Sequence, residues 1–247
     1  MGRDVFDDRF RDVGFSEWWE GTLSDKEVEV EFWSDGIPKM ASVYPDGASC
    51  GRAKICHVIP PREISEALRL RAMFSGRGWV KPGEAIARLF VDSTLWMSDT
   101  PDERSDHRVP VARAEGHTFI GGLGMGMVVL AAALKPAVVR VTVVELDKDV
   151  IQLAEPHLRN ALESQGVDPG KLEIIEGDLM TWKPPKGQFY DCIWFDIWAH
   201  LCTDNLEEMA TLNRRFARRS LGYRGSWGRE LLLERRDQER RETWWRR

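Results

Sequence analysis

In the stretch Trp194-Phe195-Asp196-Ile197-Trp198-Ala199-His200, one carboxylate stands between two tryptophans at the end of an apolar run. A carboxylate so placed can orient an amine or hydroxyl nucleophile, or take its proton. Trp198, with His200 after it, can wall an acceptor pocket, its indole stacking on a planar or cationic group. Core packing is the competing reading, and it is the stronger one for Trp194, inside the run. Upstream, Gly122-Leu123-Gly124-Met125-Gly126 lets the backbone approach a ligand, and the amides opening the next helix face an anion. Glu145 follows Gly126 by nineteen residues and ends a β-branched run, where an acid accepts hydrogen bonds from ribose hydroxyls. Asp178, in Glu176-Gly177-Asp178-Leu179, can take the exocyclic amine of an adenine.

These residues need a scaffold that brings them together, and the chain supplies its pattern from residue 116 onward. A short apolar strand over 117–120 enters the glycine turn, and the helix after it stops at Pro136. The dense run Val138 to Leu146 reads as a strand buried on both faces. A helix capped by Asp147 and interrupted at Pro156 follows, then a third strand over 171–177 and a fourth over 189–196. Residues 204–219 carry Leu206, Met209, Leu212 and Phe216 at helical spacing. Strands alternating with helices predict a doubly wound, Rossmann-like α/β sheet, with ligands bound outside the strands' carboxyl ends. No clear β-run follows Asp196. The sheet is therefore either truncated after the fourth strand or completed by N-terminal strands or a second subunit.

Ahead of this core, residues 1–115 form a mixed, β-containing segment. The alternation over 26–33 predicts a half-buried strand, 61–74 a helix, 84–99 one or two strands, and 100–108 a polar loop. The core itself spans 116–216, and 217–247 is a basic tail with the pattern of a helix. From Arg214 to Arg247 there are twelve arginines against five acids, so with an overall net charge of −5 the preceding part carries −12. A basic tail with Trp227, Trp244 and Trp245 can contact nucleic acid, but its Arg/Glu alternation fits a solvated helix docked on the body better.

Nicotinamide and flavin dinucleotides and S-adenosylmethionine all suit this geometry. The glycines run GxGxG and the third position of the dinucleotide fingerprint is Val129, so a pyrophosphate lacks its usual cradle. The sequence resembles class I S-adenosylmethionine-dependent methyltransferases, in their spermidine synthase-like branch. The motifs are FIGGLGMG, VTVVELDKDVIQLA, LEIIEGDL and YDCIWFD, preceded by LWMSDTPDE. The resemblance implies that Gly122, Gly124 and Gly126 meet the methionine part of the cofactor. It gives Glu145, with Leu146 beside it, the ribose, and Asp178 with Leu179 the adenine. Asp102 and Glu103 match an acidic pair near the cofactor, and Asp196 the carboxylate that accepts an amine proton in aminopropyltransferases. Those enzymes carry a second acid where this chain has Ala199, so methyl transfer to a nitrogen or oxygen nucleophile is the preferred expectation. Aminopropyl transfer and non-catalytic cofactor binding are the alternatives.

Composition excludes several other classes. With 43% hydrophobic and 30% charged residues the chain has a globular profile, and its longest apolar run, residues 127–134, is too short to span a bilayer. The charged N-terminus is no signal peptide, so a cytoplasmic protein is expected. Cys50, Cys56 and His57 lack a fourth ligand at a usual spacing, and no metal site is expected.

Overall fold

The computed structural model describes residues 29–60 and 82–245. Its second half is the expected sheet. Strands β5 (Gly116–Gly121), β6 (Val138–Glu145), β7 (Leu172–Glu176), β8 (Tyr190–Phe195) and β9 (Ser220–Ser226) lie in the order β7-β6-β5-β8-β9 and pair in parallel throughout. Strand order reverses between β5 and β8, which opens a crevice at their carboxyl ends.

Alternation along each strand builds two cores. Ile120, Val141, Val143, Cys192 and Trp194 face α2 (Pro101–Arg113), α3 (Met127–Leu134) and α4 (Lys148–Ser164). Phe119, Val144, Ile193 and Phe195 face α5 (Asn205–Phe216) and α6 (Arg229–Trp245). On that side Phe119 packs against Phe216 at 4.8 Å, Tyr190 at 5.0 Å and Trp182 at 5.4 Å between ring centroids. Helix α4 is amphipathic, and its cap is the expected one, Asp147 accepting from the amides of Asp149 and Val150. It is not interrupted: Pro156 lies on the exposed side while Val150, Leu153, Leu158 and Leu162 hold both halves against the sheet.

The sheet does not end at the fourth strand, nor do N-terminal strands complete it, because Ser220–Ser226, inside the segment read as a helical tail, is its fifth strand. SLGYRGS gives no apolar alternation because it is an outer strand, and its glycines serve contact: a side chain at Gly222 would meet the Asp191 carbonyl oxygen. Residues 100–108 are not a loop but the first part of α2. Thr100 precedes Pro101 at the helix start, and Asp102 and Glu103 occupy the first turn.

The N-terminal part contributes α1 (Met40–Val43) and a separate antiparallel sheet of β1 (Ser49–Cys50), β2 (Ala53–Val58), β3 (Ile86–Val91) and β4 (Thr94–Ser98). The region 84–99 is thus a hairpin, turned at Asp92 and Ser93, both of which have positive φ. The strand expected over 26–33 reduces, within the described residues, to an isolated bridge between Phe32 and Pro38. The tight turn that follows, closed by Trp33 and Gly36, ends the extended run there. The helix expected over 61–74 lies outside the described residues. No described helix is long and apolar enough to cross a membrane.

Candidate active site

A cleft of about 1150 Å³ opens at the carboxyl ends of the parallel strands. The backbone itself zips those ends together: Gly122 donates to Val144, Gly177 to Glu145, Asp196 to Gly121 and Trp227 to Phe195. Each loop therefore starts from a fixed point.

After β5, Gly122 has φ +94°, and a Cβ there would collide with the Asp196 carbonyl oxygen. Glycine is required because two loops meet at that point. A Cβ at Gly124 would strike the sulfur of Met97, which also accepts from the Met125 amide at 3.1 Å. Gly126 also has positive φ but stands outside the cleft, caps α3 and rests on Leu158. After β6, the two oxygens of Glu145 accept from the Leu123 amide at 2.7 Å and the Asp147 amide at 2.8 Å. The second lone pair of each oxygen is left for a ligand. Leu146 beside it is exposed at the cleft edge. After β7, Asp178 accepts from the Met180 amide at 2.8 Å, and Leu179 is buried beneath Gly121. This loop is clamped from α5, where Arg215 donates to the carbonyl oxygens of Leu179, Met180 and Trp182.

Asp196 follows β8 on the cleft floor, its side chain 23% exposed. Burial, then the negative charges of Glu103, Asp106 and Glu145, push its carboxyl up to about 7. Trp194 is core, as expected, and also borders the cleft. Trp198 lies past the strand end in the opposite core, where its indole donates to Glu208 at 2.7 Å while one side borders the cleft. His200 is exposed at the rim.

Of the acidic pair, only Glu103 borders the cleft. It accepts from the amide and hydroxyl of Ser98 at 2.6 and 2.8 Å, and burial raises its pKa. Asp102 is on the exposed side of α2, outside the cleft, because consecutive helix positions point about 100° apart. Four residues on from Glu103, and so on its face, is His107. The polar composition of 100–108, which reads as a loop, hides it from the sequence. His107 is 3% exposed, its Nε2 is 3.6 Å from Asp196 Oδ2, and burial pushes its pKa down to about 4. It is neutral at pH 7, so the contact is not an ion pair. The helix-start residues before it were the signal that could have found it.

No protein-family model matches the chain, and neither does any curated protein. Solved structures resemble it in part. TrmN from Thermus thermophilus is 20% identical over 53% of this chain and 39% of that one, with a TM-score of 0.39. A bacterial Hen1 methyltransferase domain is 15% identical over 45% and 58%, with a TM-score of 0.35. An S-adenosylmethionine-dependent methyltransferase from Clostridium acetobutylicum is 16% identical over 48% and 44%, with a TM-score of 0.31. The matches thus span less than two thirds of those chains.

Proposed function

We propose that the chain is an S-adenosylmethionine-dependent methyltransferase that acts on a nitrogen or oxygen nucleophile. The observation that carries this reading is the convergence, in one cleft, of Gly122, Glu145, Asp178 and Asp196, each following a different parallel strand. The residues fit the cofactor. Glu145 offers lone pairs to the ribose, Asp178 with Leu179 forms an edge and floor for the adenine, and Gly122 lets the loops after β5 and β8 meet at the cleft floor. When bound, S-adenosylmethionine supplies an activated methyl group.

The chain's own contribution is placement and proton transfer. The cleft floor beside Gly122 brings an acceptor to Asp196, and alignment of the reacting atoms supplies most of the acceleration. Asp196 holds the acceptor's proton-bearing atom and takes the proton; a carboxyl near 7 is matched to that task at neutral pH. Glu103 and Asp196 in one cleft favour a second reading, aminopropyl transfer in the spermidine synthase-like manner. Ala199 and the outward position of Asp102 leave fewer carboxylates for a polyamine than that reaction asks for.

Calorimetry with four ligands tests both readings. A methyltransferase binds S-adenosylmethionine and S-adenosylhomocysteine, whereas an aminopropyltransferase prefers the decarboxylated cofactor and methylthioadenosine. Binding of none of the four overturns the cofactor assignment.

A further inference from the structure

His107 and Trp194 both line the cleft, and each buries a side-chain nitrogen, Nδ1 and Nε1, that has no hydrogen-bond partner among the described residues. Unpaired buried polar atoms are uncommon, and each asks for an explanation. The position of His107 is firmly set by its helix. At the carboxyl end of α2, Lys135 Nζ donates to the carbonyl oxygens of Val111, Ala112 and Ala114 at 2.8, 3.0 and 2.6 Å. Near its start, Arg104 donates to the Asp99 carbonyl at 3.0 Å, and in between Trp227 donates to Asp106 at 2.9 Å. The imidazole stands edge-on to Trp194, 6.4 Å away at 86°.

A neutral imidazole carries one N–H, on one nitrogen or the other. Placed on Nδ1, that proton is buried without an acceptor. Placed on Nε2, it faces the carboxylate of Asp196, and the unpaired Nδ1 is only an acceptor, the less costly group to leave unmatched. The charges around Asp196 agree with this. Glu103 and Asp106 on α2 and Glu145 on β6 all oppose ionisation there, while Glu208 and His200 border the same end of the cleft. The cleft's cations, Arg52 and Lys148, belong to the β1–β2 turn and the start of α4, beyond Glu145. Among the described residues, the ionisable side-chain nitrogen that faces the Asp196 carboxylate is His107 Nε2, 3.6 Å from Oδ2.

We propose that His107 is the positioning residue of this site, its Nε2–H, 3.6 Å from Asp196 Oδ2, closing to donate to that oxygen and leaving Oδ1 to take the acceptor's proton. With S-adenosylmethionine bound, the acceptor's lone pair would form the bond to the methyl carbon as the carbon–sulfur bond breaks and its electrons stay on sulfur; the acceptor's bond to hydrogen would break with it, its pair remaining on the acceptor atom and the proton passing to Asp196. The acceptor's part in this rests on the methyltransferase reading; the hydrogen bond between His107 and Asp196 does not.

The test uses the whole chain, labelled with ¹⁵N in histidine and ¹³C in aspartate carboxyls, and titrated by NMR from pH 4.5 to 8.5 without added ligand. Above pH 5, His107 is expected to show a protonated Nε2 and a bare Nδ1. Its Nε2 shift should follow one titration near pH 7 that vanishes in Asp196→Asn. In His107→Leu the Asp196 midpoint should rise by about one pH unit, since a donor to the charged form is lost. His107→Gln, which keeps a side-chain N–H of similar reach, should restore most of it. A merely structural histidine would leave that midpoint where it was or move it equally in both variants. A proton on Nδ1, or a cationic His107 at pH 7, overturns the proposal in the unmodified protein, whether or not the variants fold. Calorimetry that finds no S-adenosylmethionine binding defeats the functional reading alone.

Discussion

The two ends of the cleft are built on different principles. At the end formed by the β6 and β7 loops, the polar side chains are already engaged by backbone. Glu145 holds the Leu123 and Asp147 amides, Asp178 holds the Met180 amide, and Arg215 ties down three carbonyl oxygens beneath. At the end formed by the β8 loop and α2, Asp196 faces His107 at 3.6 Å, and His107 Nδ1 has no hydrogen-bond partner among the described residues. The first end is organised before any ligand arrives, which lowers the entropic cost of binding. The second leaves the Asp196 carboxylate and the buried His107 Nδ1 without a hydrogen bond among the described residues, at a cost in stability, and groups so placed have shifted pKa values suited to moving a proton.

That contrast makes its sharpest forecast for Asp196→Asn. Cofactor affinity should stay within about threefold of the parent, while transfer of labelled methyl into a small-molecule extract falls about 10²- to 10⁴-fold, the range for loss of a general base. Comparable losses in both quantities would erase the division of labour. Glu145→Ala should do the reverse. It strands two backbone donors as well as removing the proposed ribose contact, and S-adenosylmethionine binding by calorimetry should weaken by about 100-fold. Arg215→Ala touches no ligand and only loosens the Leu179 to Trp182 loop, so affinity should drop by about three- to tenfold with turnover at saturation unchanged. A fall in turnover there would mean that the loop serves chemistry as well.

The pH dependence of stability reads the same end of the cleft, where the members of the Asp196–His107 pair have opposite signs. Asp196 moves from 3.8 in the unfolded chain to about 7 in the folded one, so between those values the folded state holds the extra proton and stability falls as pH rises. His107 moves from 6.5 to about 4, so over that window the unfolded state holds the extra proton and stability rises with pH. The two slopes partly cancel. In Asp196→Asn, denaturant unfolding should show stability climbing more steeply from pH 4 to 6.5 than in the parent, with the fall between 6.5 and 7 abolished. An unchanged profile would place Asp196 in water, with no special environment.

Where the sequence reading held and where it failed follows from which force sets each element. Strands β5, β6 and β8 are central, so burial on both faces wrote them as runs of Val, Ile, Phe and Trp, and β7, at the other edge, still packs Leu172, Ile174 and Ile175 onto the cores. Strand β9 is at the sheet's edge, and its partners are a neighbouring backbone and aromatic faces packed over glycine, which leave no apolar rhythm. Helix α2 buries Arg104, His107 and Val111 at helical spacing, but two of these are polar, so a search for apolar periodicity passes over it. The glycine turn and the acids after β6 and β7 were legible because each belongs to one local strand-to-loop transition. His107 was not, because what makes it part of the site is Asp196, far along the chain, across a helix packed on the sheet.

By itself the sequence determined the doubly wound core, the four strand ends that carry Gly122, Glu145, Asp178 and Asp196, and the carboxylate among tryptophans. These follow from hydrophobic period and turn chemistry, which act over a few residues. Only the tertiary structure decided that β9 extends the sheet, that Glu103 borders the cleft while Asp102 does not, and that His107 faces Asp196. Those outcomes depend on which face of a helix meets which strand, and on the loss of water between charges distant in the chain.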